Sequence, residues 1–443
     1  MERIESSGWG LTLRSVSNEF EPRSIDELQD FVSKPQAPRG VIAHGLRRSY
    51  GDSSLNVGGT TIDTAFLSDL SFHEDSQSVT AGAGVSIRAL EVASLARGVF
   101  PPVVPGTGFV SIGGAIAADI HGKSHHSTGS FSSCVKRIQL LYSDGEIRDV
   151  YPEGPTSEHF WATVGGLGLT GLILEADLQL IPMKTPSVLV EETRVQNLDE
   201  MLSLLSVSDK DFQHTVAWID LSGDFRGRGV VGKGNYVTTE SSEVQSPPKI
   251  KEGLSLPFPK VGGISFINKY TVRAFNEMWF RKPLTNGVST IDSFMHPLDK
   301  LQNWNRIYGG RGFLQYQFVV PEGNEDFLAH VLQVMKGLGA ASFLGVLKRF
   351  GKGSRGHLSF PTPGWTLALD IPAQIDNLEQ ALNSLDSQLC ARGGRIYLIK
   401  DARLKADFVP LMYPRLEEWR SIRNNMDPNG TWQSDQSRRL KLC

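Results

Sequence analysis

Val104-Pro-Gly-Thr-Gly-Phe-Val-Ser-Ile-Gly-Gly-Ala-Ile-Ala-Ala-Asp-Ile-His-Gly-Lys-Ser-His-His-Ser-Thr-Gly-Ser130 is the stretch whose reading decides the fold. With Gly82 and Gly84 just upstream it collects eight glycines: those two, Gly106, Gly108, Gly113, Gly114, Gly122 and Gly129. Glycine costs backbone entropy, so this density predicts a backbone that approaches a ligand closely with free N–H groups. The small residues Ala115 to Ala118 read as a helix start packed tightly on a neighbour. His121, Lys123, His125 and His126 follow at once. An anion cradle followed by titratable side chains suggests a bound cofactor with chemistry at its edge. The histidines lack a carboxylate or cysteine at ligand spacing, so no metal is expected. Gly106-Thr-Gly108 runs on into Phe109-Val110-Ser111. The third glycine of a nicotinamide-binding fingerprint is missing, and a Rossmann site is disfavoured.

Working outward, the chain has 443 residues, room for two or more domains. Its composition is ordinary for a globular protein, with 40% hydrophobic and 21% charged residues. A net charge of -3 leaves no electrostatic footprint for nucleic acid. Cys134, Cys390 and Cys443 are far apart and odd in number, which suits a reducing compartment rather than a disulfide framework. The N-terminus has no apolar signal core and no membrane-spanning run occurs, so a cytoplasmic protein is expected.

Upstream, Ser24 and Glu27 have capping-box spacing before the helical face Leu28, Phe31, Val32. Gly40 to His44 reads as a buried strand running into the loop Gly45-Leu-Arg-Arg-Ser-Tyr-Gly-Asp52. Thr61 to Asp63, Leu67 to Phe72 and Ser78 to Gly84 read as strands. Ser86 to Arg97 reads as a helix with Ile87, Leu90, Val92, Ala93 and Leu95 mostly inward. Downstream, Val135 to Tyr142 and Glu146 to Val150 form a hairpin about Ser143-Asp-Gly145. Glu158 to Val164 is a short helix, and Leu172 to Ile181 a long strand closed by Pro182.

Composition shifts near Thr185-Pro186. Beyond it, Leu314 to Pro321 and Trp365 to Ile371 read as strands, and Glu325 to Leu338 and Ile375 to Arg392 as helices. That order suggests an antiparallel sheet with helices on one face. Residues 240–290 look irregular, with Phe258, Phe266, Tyr270, Phe275, Trp279 and Phe280 among lysines and arginines. A mobile lid, a surface for a greasy anionic partner, and loop residues capping a core are all open readings.

Three stretches occur together: Gly45 to Asp52, Pro105 to Lys123, and Gly165-Gly-Leu-Gly-Leu-Thr-Gly-Leu-Ile173. Phe160-Trp-Ala-Thr-Val-Gly-Gly, Trp304-Asn-Arg-Ile-Tyr-Gly, Leu358-Ser-Phe-Pro-Thr-Pro-Gly-Trp365 and Met412-Tyr-Pro-Arg-Leu-Glu-Glu-Trp419 accompany them, in order. The set resembles the flavoproteins of the vanillyl-alcohol oxidase type. Within them it is most similar to the branch that oxidises the 2-hydroxyl of decaprenylphosphoryl-β-D-ribose, the first half of an epimerisation to the arabinose donor. The resemblance implies an α+β fold. A two-subdomain FAD-binding domain would take residues 1–183 and 395–443, and an antiparallel-sheet substrate domain residues 184–394. It implies non-covalent FAD, because the first loop reads Arg47-Arg48-Ser49-Tyr50 without the histidine that some relatives use for attachment.

The resemblance places FAD against Gly45, Arg48, Ser49, Tyr50, Gly51, Asp52, Gly106, Thr107, Ser111, Gly113, Gly114, Ala118, His121, Lys123, His125, Gly129, Ile173 and Tyr397. It places substrate against Lys123, Gln315, Gln317, Lys348, Thr366 and Lys400. Lys400 is the expected base, with His121 beside it. From the residues alone, Lys400 reads as the end of an apolar strand, where desolvation lowers a lysine pKa, or as a surface lysine paired with Asp401. Gln315 and Gln317, two apart on a strand, share a face. Relatives often carry Asn and Cys where Thr366 and Ala368 stand, so no thiol at 368 takes part here. The implied partners are a polyprenyl-phosphate sugar, a separate NADH- or NADPH-dependent short-chain reductase, and a membrane surface met peripherally through 240–290. An oxygen-using oxidase of a free sugar, alditol or aldonolactone is the alternative enzyme. A flavin-binding scaffold without catalysis is the alternative of another class.

Overall fold

The computed structural model describes residues 1–34, 38–74, 77–183, 185–222, 227–237, 256–257 and 265–443. The fold is α+β and rests on three sheets. The first has four strands in the order Glu2–Ser7, Arg14–Phe20, Thr60–Asp63, Val41–His44. The second has five antiparallel strands in the order Leu70–His73, Ser78–Gly82, Leu172–Gln179, Val135–Leu141, Ile147–Val150. The third has eight, ordered Asn286–Thr290, Ser187–Val195, Gly229–Tyr236, His214–Ile219, Gly345–Phe350, Gly364–Pro372, Phe313–Val320, Arg395–Ile396.

The large sheet shows why its two faces differ. Side chains alternate along Phe313–Val320. Tyr316 donates its hydroxyl to Asp386 on the helix Leu378–Ala391 at 3.2 Å. The Phe318 ring lies 5.3 Å from that of Phe327 on the helix Glu325–Gly337. Gln315 and Gln317 point the other way, into a cavity. The helices therefore cover one face and leave the other to a ligand.

The first helix, Ile25–Val32, is capped as its sequence dictates: Ser24 Oγ accepts from the Glu27 N–H at 3.1 Å. The chain's end returns to its beginning. On the helix Leu416–Met426, Trp419 is fully buried and donates Nε1–H to Ala162 O at 2.9 Å. Arg423, also buried, pairs with Asp427 at 2.7 Å and donates to Leu169 O and Trp432 O. Asp427 accepts in addition from the N–H groups of Thr431 and Trp432.

Four expectations need correction. The strand sought at 67–72 is Leu70–His73, because Leu67 turns back with its N–H on Thr64 O. On the helix Ile87–Leu95, Val92 is 44% exposed while Glu91 is buried, because the carboxylate accepts from His296 at 2.7 Å. Pro182 does not merely end a strand; Ile181–Pro182 pairs with Val99–Phe100. The 240–290 region is not irregular throughout. Lys269–Arg281 is a helix with an Asn268 capping box, and Asn286–Thr290 is the edge strand of the large sheet. Phe258 and the Ser241 to Lys251 stretch lie outside the described residues. Among the described residues, no helix is long and apolar enough to cross a membrane.

Removing one partner of a buried ion pair strands the other. Asp427→Ala should therefore lower unfolding stability by about 3–5 kcal/mol. Asp30→Ala removes the exposed pair with Lys34 and should stay within about 0.5 kcal/mol. Denaturant unfolding followed by tryptophan fluorescence separates the two.

Candidate active site

One cavity of about 1180 Å³ lies between the glycine-rich loops and the open face of the large sheet. It exceeds the roughly 300–1000 Å³ usual for one small ligand. Gly45, Arg48, Ser49, Tyr50, Gly106, Thr107, Ser111, Gly113, Gly114, Ala118, His121, Lys123, Ile173, Gln315, Gln317, Lys348, Tyr397 and Lys400 all line it. Residues 355 positions apart in the chain, such as Gly45 and Lys400, thus meet in one space.

The other expected residues stand behind the wall. Gly51 packs so closely on the Lys400 turn that a Cβ would sit 1.9 Å from Asp401 O. Asp52 is an ion pair with Arg439 at 2.6 Å. Gly129, at φ +84, ends the helix His125–Thr128. His125 is buried against the Phe350 ring at 4.5 Å and bonds Ser130 Oγ at 3.3 Å. Thr366 is buried with Oγ1 accepting from Gln317 Nε2 at 3.5 Å. These residues shape the site without facing it.

The glycines act differently from a simple cradle. At Gly122 a Cβ would lie 2.4 Å from Val104 O, and at Gly45 2.1 Å from Ser111 Oγ. Both are needed for loop-on-loop packing. Gly106 has nothing within 4 Å of its Cβ position, so of these three it is the one whose Cβ would project into open space. The Gly108 N–H is already taken, by Asp299 Oδ2 at 2.7 Å.

Lys400 sits on the short turn Leu398–Lys400 rather than at the end of a strand; the strand before it is only Arg395–Ile396. Its Nζ lies 3.9 Å from the centre of the Tyr50 ring. Burial pushes its pKa down to about 8, against the pull of Asp370. It is not paired with Asp401, which caps the N–H groups of Arg403 and Leu404 and pairs with Arg439. Lys123 and Lys348 are each pushed down to about 7, by burial first and by a neighbouring lysine second. Lys123 donates to Phe294 O.

His121 is buried among Phe350, Phe360 and Tyr397. Its Nε2 accepts from Gln317 Nε2 at 3.2 Å, which leaves the proton on Nδ1. Burial, then the charges of Lys348, His125 and Lys400, hold it well below the usual histidine range, so it is neutral. Its Nδ1 has no partner among the described residues, and neither has Arg48 Nε. Arg48 lies 4.0 Å over the Trp9 ring and 5.5 Å from that of Phe109. Two unpaired buried donors and three lysines in a cavity this large fit an anionic, ring-bearing cofactor such as FAD together with an anionic substrate.

Sequence reasoning gave no role to Asp370, Asp299, Trp9 or Phe109. Asp370 had a readable signal: it is a lone carboxylate at the same strand parity as Thr366 and Ala368. The others reach the site from segments with no periodic pattern.

Comparison with known proteins bears on this geometry directly. Residues 17–151, which carry the glycine loops and His121, match the family described as FAD binding domain. The chain is 40% identical to decaprenylphosphoryl-β-D-ribose oxidase of Mycolicibacterium smegmatis over 447 residues, 98% of this chain and 97% of that protein. It is 34% identical to an uncharacterised protein from the mprA 5' region of Streptomyces coelicolor, over 81% of this chain and all of that one. An uncharacterised oxidoreductase of the fasciation locus of Rhodococcoides fascians is 26% identical over 49% of this chain. FAD is thus the cofactor of this chain, an oxidoreductase acting on a CH–OH group, and the chain belongs to the decaprenylphosphoryl-β-D-ribose oxidase family.

Proposed function

We propose that the protein oxidises the 2-hydroxyl of decaprenylphosphoryl-β-D-ribose to the 2-keto sugar, the first half of an epimerisation. Identity along the whole length of the mycolicibacterial oxidase favours this reading over a free-sugar oxidase. The observation that carries it is the juxtaposition of Lys400, poised over Tyr50, with His121 and Gln317 in one cavity. Residues 1–183 and 395–443 hold FAD, and residues 184–394 roof it and receive the sugar. Seven of the eight strands of the large sheet lie within 184–394, and the eighth, Arg395–Ile396, follows just past that boundary.

Gly45, Arg48, Ser49, Tyr50, Thr107, Ser111 and Ile173 hold the cofactor, without a covalent bond. His44 is already engaged, with Nε2 on Glu19 at 2.7 Å. Bound FAD supplies hydride-accepting chemistry. The chain's own part is proton control and position. Lys400 in its neutral form takes the hydroxyl proton at Nζ. Neutral His121, steered by Gln317, orders the sugar hydroxyls. Lys123 and Lys348, which repel each other when empty, both become charged when a phosphate enters between the sheet and the loops. Gln315 and Gln317 fix the sugar from the roof.

The polyprenyl tail leaves along the helix Lys269–Arg281. Phe275 and Trp279 of that helix line the cavity, and Tyr270 and Met278 on its outer side are 73% and 62% exposed. Lys269 and Arg273 flank them, a pattern suited to peripheral contact with an anionic membrane surface. The ketone passes to a separate nicotinamide-dependent reductase.

Lys400→Ala should stay yellow and lose flavin reduction by the lipid sugar about 100-fold or more, read by anaerobic stopped-flow absorbance. Reduction at the native rate would overturn the base assignment. In the native protein the rate should climb as pH rises through about 8, because only the deprotonated amine can accept the proton. A rate that is flat from pH 6.5 to 9.5 would contradict Lys400 as the base.

A further inference from the structure

Asp370 is a carboxylate with no exposure in the middle of the large sheet. Among the described residues no cation lies within ion-pair distance of it, and its Oδ2 has no hydrogen-bond partner. Burying a bare carboxylate is costly, and such groups are retained where they act on something. Its position is set by register. Asp370 pairs with Gln315 across the strands, as Ala368 pairs with Gln317. Thr366, Ala368 and Asp370 share one face of their strand, and Ala368 lines the cavity.

From that position a short chain leads to the base. Asp370 Oδ1 accepts from Gln315 Nε2 at 2.6 Å. The same amide donates to the Tyr50 hydroxyl at 3.3 Å. The face of the Tyr50 ring lies 3.9 Å from Lys400 Nζ. We propose that Asp370 is the positioning residue of Lys400: through the Gln315–Tyr50 pair, its carboxylate holds the ammonium that proton transfer creates. The inference rests on the reading of Lys400 as the base.

The surrounding charges support it. Lys400 is faced by Asp370, Tyr50, His121 and Lys348, and Asp370 by Gln315, Tyr50, Tyr308 and Lys400. His121 is neutral. Tyr50 and Tyr308 are raised well above the usual phenol range, by burial first and then by Asp370, so both stay protonated. Asp370 is therefore the anion named among these neighbours. Burial raises it to about 7 while Lys400 falls to about 8, so the pair titrates over one range. When Lys400 takes the substrate hydroxyl proton, the O–H bond breaks and an N–H bond forms. The new positive charge then meets an existing negative one across a fixed spacer.

The test uses the full-length flavoprotein with Asp370→Asn, which keeps the shape and the Gln315 contact but removes the charge. Gln315→Met breaks the same chain at its middle link and is the second variant. Two quantities are followed against pH: anaerobic flavin reduction by the lipid sugar, and acetylation of Lys400 by acetic anhydride, quantified by peptide mass spectrometry. The second needs no turnover. Without the carboxylate the ammonium is less favoured, so both midpoints should move to lower pH by about one unit. In Asp370→Asn the plateau rate should fall several-fold with KM little changed, and Asp370→Glu should restore the native midpoint. An unmoved acetylation midpoint in both Asp370→Asn and Gln315→Met overturns the inference. A moved acetylation midpoint with an unmoved reduction profile upholds the Asp370–Lys400 coupling and instead removes Lys400 as the base.

Discussion

The Tyr50 N–H donates to Ile399 O at 3.1 Å, and the site depends on that bond more than on any other. It ties the first glycine loop to the turn that carries Lys400. Gly51 permits the approach, since any side chain there would run into Asp401 O. Arg439 completes it by pairing with both Asp52 and Asp401. Strand Val41–His44 feeds the loop from below and also bridges Trp432 near the C-terminus. The first glycine loop and the turn bearing Lys400, from opposite ends of the chain, are therefore parts of one packed unit. Such rigidity is what a proton acceptor within reach of a hydride acceptor requires, because misplacement by about 1 Å costs orders of magnitude in rate.

Electrostatics follow from that packing. Lys123, Lys348 and Lys400 all line one cavity, and each is pushed down by burial. Full protonation of all three without a ligand would set like charges against each other in a poorly solvated space. In the proposed mechanism a phosphate entering the cavity removes that conflict for Lys123 and Lys348, and Lys400, biased by Asp370, is left as the group that changes protonation. On that reading, the placement of a single buried acid divides substrate binding and proton acceptance between different lysines.

Much of this was readable from residue patterns. The strands at Phe313–Val320 and Gly364–Pro372 were read nearly in place, as 314–321 and 365–371, and parity put Gln315 and Gln317 on one face. Ser24 and Glu27 announced a helix start. What escaped reading shares one physical origin: parity tells which way a side chain points and not what stands opposite. Glu91 looks like a solvated helix residue until His296, 205 positions away, is brought to its carboxylate. Val92 accordingly turns outward. Lys400 follows an apolar run that resembles a strand, but the backbone tightens into a turn because Tyr397, Ile399 and Leu398 carbonyls are each claimed locally or by Tyr50. Glycine density was a sound signal with a mixed cause, since Gly45 and Gly122 serve packing between loops while Gly106 borders the cavity.

The segment from Ile291 to Trp304 shows how the roof is kept in register with the floor. It leaves the large sheet and crosses onto the helix Ile87–Leu95. There Arg88 pairs with Asp292 at 2.6 Å and Glu91 accepts from His296 at 2.7 Å. Asp299 reaches the Gly108 N–H within the glycine turns, and Asn305, just beyond, donates to Trp9 O at 2.9 Å. Each contact joins an element of the sheet-bearing middle to a residue of the first third. The roof that carries Gln315, Gln317 and Asp370 is thus tied to the glycine loops by polar contacts at its rim.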